Sequence, residues 1–591
     1  FEPWMPLAFS EGSIGGDIES ISLDGLRGFY GDSAGPPATT GVRDSPPSEP
    51  TGSNGFAIAP SNTIDRHALL LINPHTSFFF RSELQVTSDE GLRAYGAATW
   101  GQFFIYQGFN DRLGWMHTST SADAIDEYAE SVFRRPGGFS YQSDYAKCGG
   151  PDGRRCSLTP MGTSSISVRY RTPSGLATRT FTVYRTHHGP IVRAAGGKWI
   201  SVRLMQKPVE ALSQSFLRTK ARTLAEYEKV MALKANSSNN TVYADADGHI
   251  AYFHPQFIPR RDDRFDWTLP VDGTDPATVW HGLHDISDTP HVIDPPNGWI
   301  QNTNDWPYSA AGEYSPKRDR FPRYMDTEGE SPRGLHAIRV LERRKDFTPE
   351  RLRDAAFDSY LTAFAELLPP LIAAYDSLSR DDARRRALAD QIAALRGWDY
   401  RWSATSVPTA LAVYWGDTLA VLARGAAASA GMPVYDYLVK RATAAERLGA
   451  LEAASGRLQR DFGSWRTSWG EINRFQRISG ALVQPFSDSA PSIPVPFTSA
   501  RWGSLASFGA RTYPGTRRMY GTYGNTFVAV VEFGRDSVRA MAVTAGGESG
   551  DPRSKHFRDQ AERYASGALR PVYFYPEQLR GHTERTYRPG E

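Results

Sequence analysis

The sequence predicts a mixed α and β chain, with strands toward both ends and helices between, and three patterns carry that expectation. Phe56-Ala57-Ile58-Ala59-Pro60 and Ala68-Leu69-Leu70-Leu71-Ile72-Asn73 are short apolar runs between turn residues, which read as buried strands. Residues 348–455 change character: Leu352, Ala355, Ala356 and Tyr360, then 387–395 and 411–422, have helical spacing among Ala, Leu, Arg and Glu. Strand signals resume at 526–533 and 538–543, a hairpin whose turn includes Gly534-Arg535-Asp536.

Taken in order, residues 36–51 are rich in Pro, Ser and Thr and nearly devoid of large apolar side chains. Such a stretch cannot bury enough surface to offset its ordering entropy, so it reads as a solvated linker. Gly52-Ser53-Asn54-Gly55 then joins the linker to the first strand. Two readings stand at this point: an ordinary Ser-Asn-Gly turn, or a cut site that exposes a serine as a new N-terminus. From Ser53 to about Ile200 the pattern is strands and turns, including runs at 102–110 and 165–170. Residues 221–235 are helical in period, with Leu224, Tyr227, Val230 and Met231 on one face, and 240–253 returns to strands.

Composition narrows the function. The chain has 591 residues, 40% hydrophobic, enough for a large core. Lys plus Arg (67) nearly cancels Asp plus Glu (65), so nothing points to nucleic acid or an anionic membrane. No apolar run approaches the roughly 20 residues that cross a bilayer. Cys148 and Cys156 share one short Gly- and Pro-containing loop. A disulfide there would contribute roughly 2–3 kcal/mol and imply an oxidising compartment such as a bacterial periplasm; two free thiols are the alternative. The spacing does not suit zinc.

Gly52-Ser53-Asn54-Gly55-Phe56-Ala57-Ile58 resembles the maturation site of the penicillin acylase family of N-terminal nucleophile (Ntn) hydrolases. Further segments resemble the family in its order: His75, Gly114-Trp115-Met116-His117-Thr118-Ser119, Asn240-Thr241-Val242-Tyr243-Ala244-Asp245, Trp469-Gly470-Glu471-Ile472-Asn473-Arg474 and Gly546-Gly547-Glu548-Ser549-Gly550-Asp551-Pro552. The resemblance covers nearly the whole chain. It implies an α+β fold, the Ntn-hydrolase four-layer αββα sandwich with an inserted, mostly helical subdomain. It further implies that residues 1–35 are the C-terminal tail of a first (alpha) chain and 36–52 a linker. Residues 53–345 would be the core of the beta chain, 346–460 the helical subdomain and 461–591 the return to the sandwich.

The chemistry follows. A serine hydroxyl is a poor nucleophile at neutral pH and needs a base. A Gly-x-Ser-x-Gly elbow would supply one context, but Gly547-Glu548-Ser549-Gly550-Asp551 lacks its last Gly. Cleavage at Gly52–Ser53 would instead give Ser53 its own α-amine, whose ordinary pKa of about 7.7–8.0 leaves a useful neutral fraction. The resemblance assigns oxyanion donors to the Ser119 backbone N–H and the Asn240 side chain, and a site-orienting role to Arg261. His75 is expected to orient the amine or polarise the scissile carbonyl. His117 is expected as a pocket wall, and Phe78, Phe79, Phe103 and Phe104 as the lining of an apolar acyl pocket, with ordinary core packing the alternative. The resemblance also implies a structural Ca2+ held by Asp17, Asp123, the Ile125 carbonyl and Asp126, and no organic cofactor.

The expected protein is a periplasmic or secreted, self-cleaving amidohydrolase working through an acyl-Ser53 intermediate. Its partners would be a small acyl amide and the cleaved alpha chain. Medium or long acyl amides such as acyl-homoserine lactones are the expected substrates. A β-lactam acylase is the alternative enzyme, and an uncut, catalytically silent binding relative the alternative of another class.

Overall fold

The computed structural model describes residues 5–8, 21–31, 52–79, 81–143, 158–481 and 483–588. Asp17, Cys148, Cys156 and most of the linker lie outside them.

The chain enters its core at β1 (Ser53–Ile58) and returns antiparallel as β2 (Ala68–Ser77), with Ser53 opposite Pro74 and Ile58 opposite Leu69. On its other edge β1 pairs with the strand Trp299–Asn302. Beyond β2 the sheet continues through Phe527–Phe533, Val538–Thr544 and Arg570–Pro571, and through Met519–Asn525 and Asn473–Phe475. The second sheet runs from β3 (Arg81–Ser88) through β4 (Leu92–Thr99), β5 (Gln107–Asn110) and β6 (Leu113–Ser119) to Asn239–Asp245, Ile250–Phe253 and His291–Ile293.

The two sheets stack face to face. Ala57, Leu70, Ile72 and Phe527 of the first meet Phe109, Met116, Val242 and Tyr252 of the second. Gly55 allows the close approach at β1, since a Cβ there would come within 2.9 Å of Val242 Cγ2. On the outer face of the first sheet, Phe56, Leu69 and Leu71 pack against Ala337 and Leu341 of the helix Pro332–Leu341 and Leu352 of Pro349–Ala356. On the outer face of the second, Trp115 and Tyr243 pack against Tyr227 and Met231 of Leu224–Met231. The result is the four-layer αββα sandwich. Because β2 is covered on both faces, alternate residues of its apolar run face different cores, which is why the run shows no period of two. Each such fully buried aliphatic side chain contributes about 1.5–3 kcal/mol.

Helices from Thr362 to Phe462 build a core of their own around Phe364, Trp415 and Leu451, which Trp469, Ile472 and Trp502 extend. The helix Pro349–Ala356 belongs to the sandwich instead. The run 102–110 is strand only from Gln107; residues 103–106 are turn and loop, with Phe104, Ile105 and Tyr106 buried. Ahead of Ser53, the helix Leu23–Tyr30 packs Phe29 edge-on against Trp199 at 4.9 Å, and the Tyr30 hydroxyl donates to the Ile191 carbonyl at 2.9 Å.

Candidate active site

Ser53 opens β1, buried and opposite a residue that has no N–H. Because Pro74 cannot donate, the next amide takes over. The His75 N–H donates to the Gly52 carbonyl at 2.8 Å and lies 3.4 Å from Ser53 Oγ. The Ser53 N–H donates to Asn304 Oδ1 at 2.5 Å. Asn304 follows the strand Trp299–Asn302, β1's neighbour, and adopts a left-handed backbone conformation, φ 66°, which Asn tolerates better than most residues. Its Nδ2 donates to the Ser119 carbonyl at 2.9 Å, bringing the end of β6 against the same cluster.

Above them sits a guanidinium. Arg333 lies at the start of the helix Pro332–Leu341, which Ser331 caps by accepting from the Gly334 N–H at 3.0 Å. Its Nη2 donates to the Thr303 carbonyl and, at 2.8 Å, to Asn304 Oδ1; its Nη1 lies 3.0 Å from His75 Nδ1, 3.3 Å from Asn54 Oδ1 and 3.5 Å from the Ser53 carbonyl. Burial, and after it the Arg333 charge, hold the His75 imidazolium well below the ordinary range. With Nδ1 accepting from Arg333, the neutral ring carries its hydrogen on Nε2. His75 therefore fixes the guanidinium through its ring and the Gly52 carbonyl through its backbone.

Asn240, on the second sheet, adjoins this cluster: its Nδ2 is 3.4 Å from the Ser119 carbonyl that Asn304 Nδ2 also reaches and 3.3 Å from Thr118 Oγ1 and Asn302 Oδ1, and its Oδ1 accepts from the Tyr252 hydroxyl at 2.8 Å. The amide in contact with Ser53 is that of Asn304. The remaining expected site residues lie farther off. The His117 ring is buried and close to the Asn240 carbonyl and Thr241 Oγ1, at 3.3 and 3.1 Å. Phe78 packs on Phe475, Phe508 and Tyr564 outside the first sheet. Phe79 lies under the Arg477 guanidinium, 4.0 Å away. Phe103 is 56% exposed and edge-on to buried Phe104. The four phenylalanines thus form no common wall. Ser549 accepts from the Asp551 N–H in its own turn.

Arg261 makes the clearest correction. It orients two carboxylates, but these are Asp123 and Asp126. Nη1 donates to Asp126 Oδ1 and lies 3.7 Å from Asp123 Oδ1, and Nη2 donates to the Asp123 carbonyl. The Trp280 indole N–H donates to the remaining Asp126 oxygen, and the Arg261 guanidinium lies 4.3 Å from the Tyr324 ring centre. Burial lifts the Asp123 carboxyl to about 7 even against the lowering pull of Arg261. Arg261 and the Trp280 indole N–H engage the two Asp126 oxygens, Asp123 Oδ2 is buried with no hydrogen-bond partner, and Asp17, the other expected calcium ligand, lies outside the described residues. Among the described residues no cluster of three His, Cys, Asp or Glu is arranged to hold a metal ion. Arg261→Met, which strips two buried carboxylates of their cation, should cost about 3–5 kcal/mol in denaturant unfolding; a variant as stable as wild type would overturn this pairing.

Comparison with known proteins matches the chain to one family. The penicillin amidase family model aligns with residues 8–581. The chain is 28% identical to penicillin G acylase of Escherichia coli over 370 residues, 59% of this chain but 39% of that protein. It is 24% identical to the acyl-homoserine lactone acylase PvdQ of Pseudomonas fluorescens over 584 residues, 90% of this chain and 69% of that protein. A thermostable penicillin G acylase from Alcaligenes faecalis shares the fold, with a TM-score of 0.64 at 18% identity, over 91% of this chain and 99% of that one. With the family's model running almost from end to end, on a sandwich whose first core strand begins at Ser53, the chain belongs to the penicillin amidase family of amide hydrolases.

Proposed function

We propose that this protein cuts itself at Gly52–Ser53 and then hydrolyses acyl amides through an acyl-Ser53 intermediate. The observation that carries the reading is the set of contacts on one residue: Ser53 N on Asn304, and its Oγ beside the His75 N–H that also holds the Gly52 carbonyl. In self-cleavage Oγ attacks the Gly52 carbonyl carbon, the C–N bond breaks, and the freed nitrogen takes the proton. Water then hydrolyses the ester. The new amine stays on Asn304 Oδ1, where the nearby Arg333 charge disfavours a second cation and so favours the neutral base. Asn304 Nδ2 and the Ser119 backbone N–H are the groups we assign to the oxyanion, with Arg333 orienting the Asn304 amide. The released alpha chain stays bound as partner. A periplasmic or secreted location with a Cys148–Cys156 disulfide completes the proposal.

For substrate, we propose medium or long acyl amides such as acyl-homoserine lactones. The match to acyl-homoserine lactone acylases over 90% of the chain supports this. The higher identity to penicillin G acylase, over a shorter span, favours a β-lactam side chain as second reading. An acyl series should show rising kcat/KM until the pocket is full, each buried methylene adding about 0.8 kcal/mol. In direct competition a decanoyl amide should outcompete a phenylacetyl amide; a clear win for phenylacetyl puts the second reading first. A catalytically silent relative would remain one band on a denaturing gel.

A further inference from the structure

A pair of carboxyl groups lies behind the Ser53 cluster, in contact with both elements that supply it. Asp305 follows Asn304 directly and is buried. Its Oδ1 accepts from the Thr303 N–H at 2.9 Å and its Oδ2 from Gln301 Nε2 at 2.9 Å, while Asn302 Nδ2 donates to its carbonyl at 3.1 Å. Asn302 Oδ1 takes the Asn304 N–H at 3.1 Å, so the left-handed turn is pinned from both flanks. Glu330 sits just ahead of the helix that carries Arg333. The Ser331 N–H donates to Oε1 at 3.2 Å and the Trp306 indole to Oε2 at 3.1 Å. The two carboxyls meet over Gly334, where a Cβ would be 2.2 Å from Glu330 Oε1 and 2.3 Å from Asp305 Oδ2. Both oxygens crowd the same point, which puts one carboxyl within reach of the other. Two ionised carboxylates this close and this buried would repel each other strongly, and a proton held by one of them removes that repulsion.

We propose that Glu330 and Asp305 share one proton and act together as positioning residues, clasping the turn that presents Asn304 to the helix start that presents Arg333. The Glu330 O–H donates to Asp305 Oδ2, joining two segments that also meet through the Trp306 indole on Glu330 Oε2 and through Arg333 on the Thr303 carbonyl and Asn304 Oδ1. This deepens the reading of Ser53, Asn304 and Arg333 as the working site and rests on it.

The charged and titratable groups around the pair come from three elements: Arg333 from the helix, Asp326 and Glu328 from the segment before it, and Tyr252 from the strand Ile250–Phe253. Asp326 is itself lifted to about 6 by burial, so the surroundings are acidic apart from Arg333. Burial first, and Asp305 second, push the Glu330 carboxyl up to about 8 from the ordinary 4.5. The sign follows. A raised folded value means the stability held by this proton is complete below about 4.5 and is lost as pH rises through about 8. Above that pH two buried negative charges face each other, and the clasp opens.

The test compares wild type with Glu330→Gln, which keeps a donor and removes the charge, and Glu330→Ala, which removes both. A chemically stable acyl amide is assayed from pH 5.5 to 10, and melting temperature is read over the same range without substrate. Wild type should lose kcat and melting temperature together on the alkaline side, and Glu330→Gln should keep most of the kcat at pH 6.5 with a flatter alkaline limb in both readouts. Glu330→Ala should lose at least tenfold in kcat with KM within about threefold, and Gln in its place should restore it. Alkaline limbs in Glu330→Gln that superimpose on wild type overturn the clasp. Should wild type hydrolyse no acyl amide, the proposed function falls, and the clasp is then decided by melting temperature against pH alone.

Discussion

Ser53→Ala should remain a single uncut chain and show no acyl amide hydrolysis above background. One hydroxyl is asked to do two jobs, and both depend on contacts in the structure. The Gly52 carbonyl is held by the His75 N–H at 2.8 Å, and that same N–H lies 3.4 Å from Ser53 Oγ. Alanine keeps the strand, since Ser53 is opposite Pro74 and its side chain carries no ladder bond. Folding should therefore survive, and the loss should be chemical. Intact-mass analysis separates the outcomes: wild type should yield a heavy chain beginning at Ser53, the variant only full-length protein. An active Ser53→Ala enzyme would refute the mechanism altogether.

Asn304→Gly should cost about 10²–10³ in kcat, the usual loss when one oxyanion donor is removed. Glycine is the informative substitution because Asn304 holds φ 66°, a conformation glycine adopts without strain. It deletes the amide and leaves the turn. Asn304→Ala would add backbone strain to the same loss and blur the comparison. Asn240→Ala is the control: that amide is engaged with Thr118, Asn302 and Tyr252, so its removal should lower stability more than kcat. If Asn240→Ala costs a hundredfold in kcat while Asn304→Gly costs less than threefold, the oxyanion donor is the other asparagine.

What could be read from the sequence divides along contact distance. The β1–β2 run and the hairpin of Phe527–Phe533 with Val538–Thr544 were legible because apolar runs and turn residues are local signals. The Gly52-Ser53 junction was legible too, as a change in composition. Asn304 and Arg333 were not. They stand 251 and 280 residues from Ser53, and only the pairing of β1 with Trp299–Asn302 brings them there. A weak signal existed: Asn302-Thr303-Asn304-Asp305 follows a short apolar strand, and Ser331-Pro332-Arg333 opens a helix. Asn240 was legible from its place at the head of a strand beside β6, and its Nδ2 reaches the Ser119 carbonyl from the second sheet while Asn304 reaches it from the first. The phenylalanine runs misled for an elementary reason: most such runs are core, and Phe78 and Phe104 are core here.

The contact between Gly52 and Arg333 sets a limit on how this protein can be re-engineered. A Cβ at position 52 would come within 2.4 Å of Arg333 Nη1 and 2.9 Å of its Cζ. Any larger residue before the cut must push aside the guanidinium that holds Asn304. Under the proposed cleavage, a substitution at Gly52 would therefore disturb the Ser53–Asn304–Arg333 contacts as well, and a failure to cleave could not be told from a damaged site. Variants designed to trap the precursor should change Ser53 and leave its neighbour alone. The same crowding makes position 52 a poor junction for grafting a different leader onto the beta chain: the leader may vary upstream, but its last residue is dictated by a side chain 281 positions later.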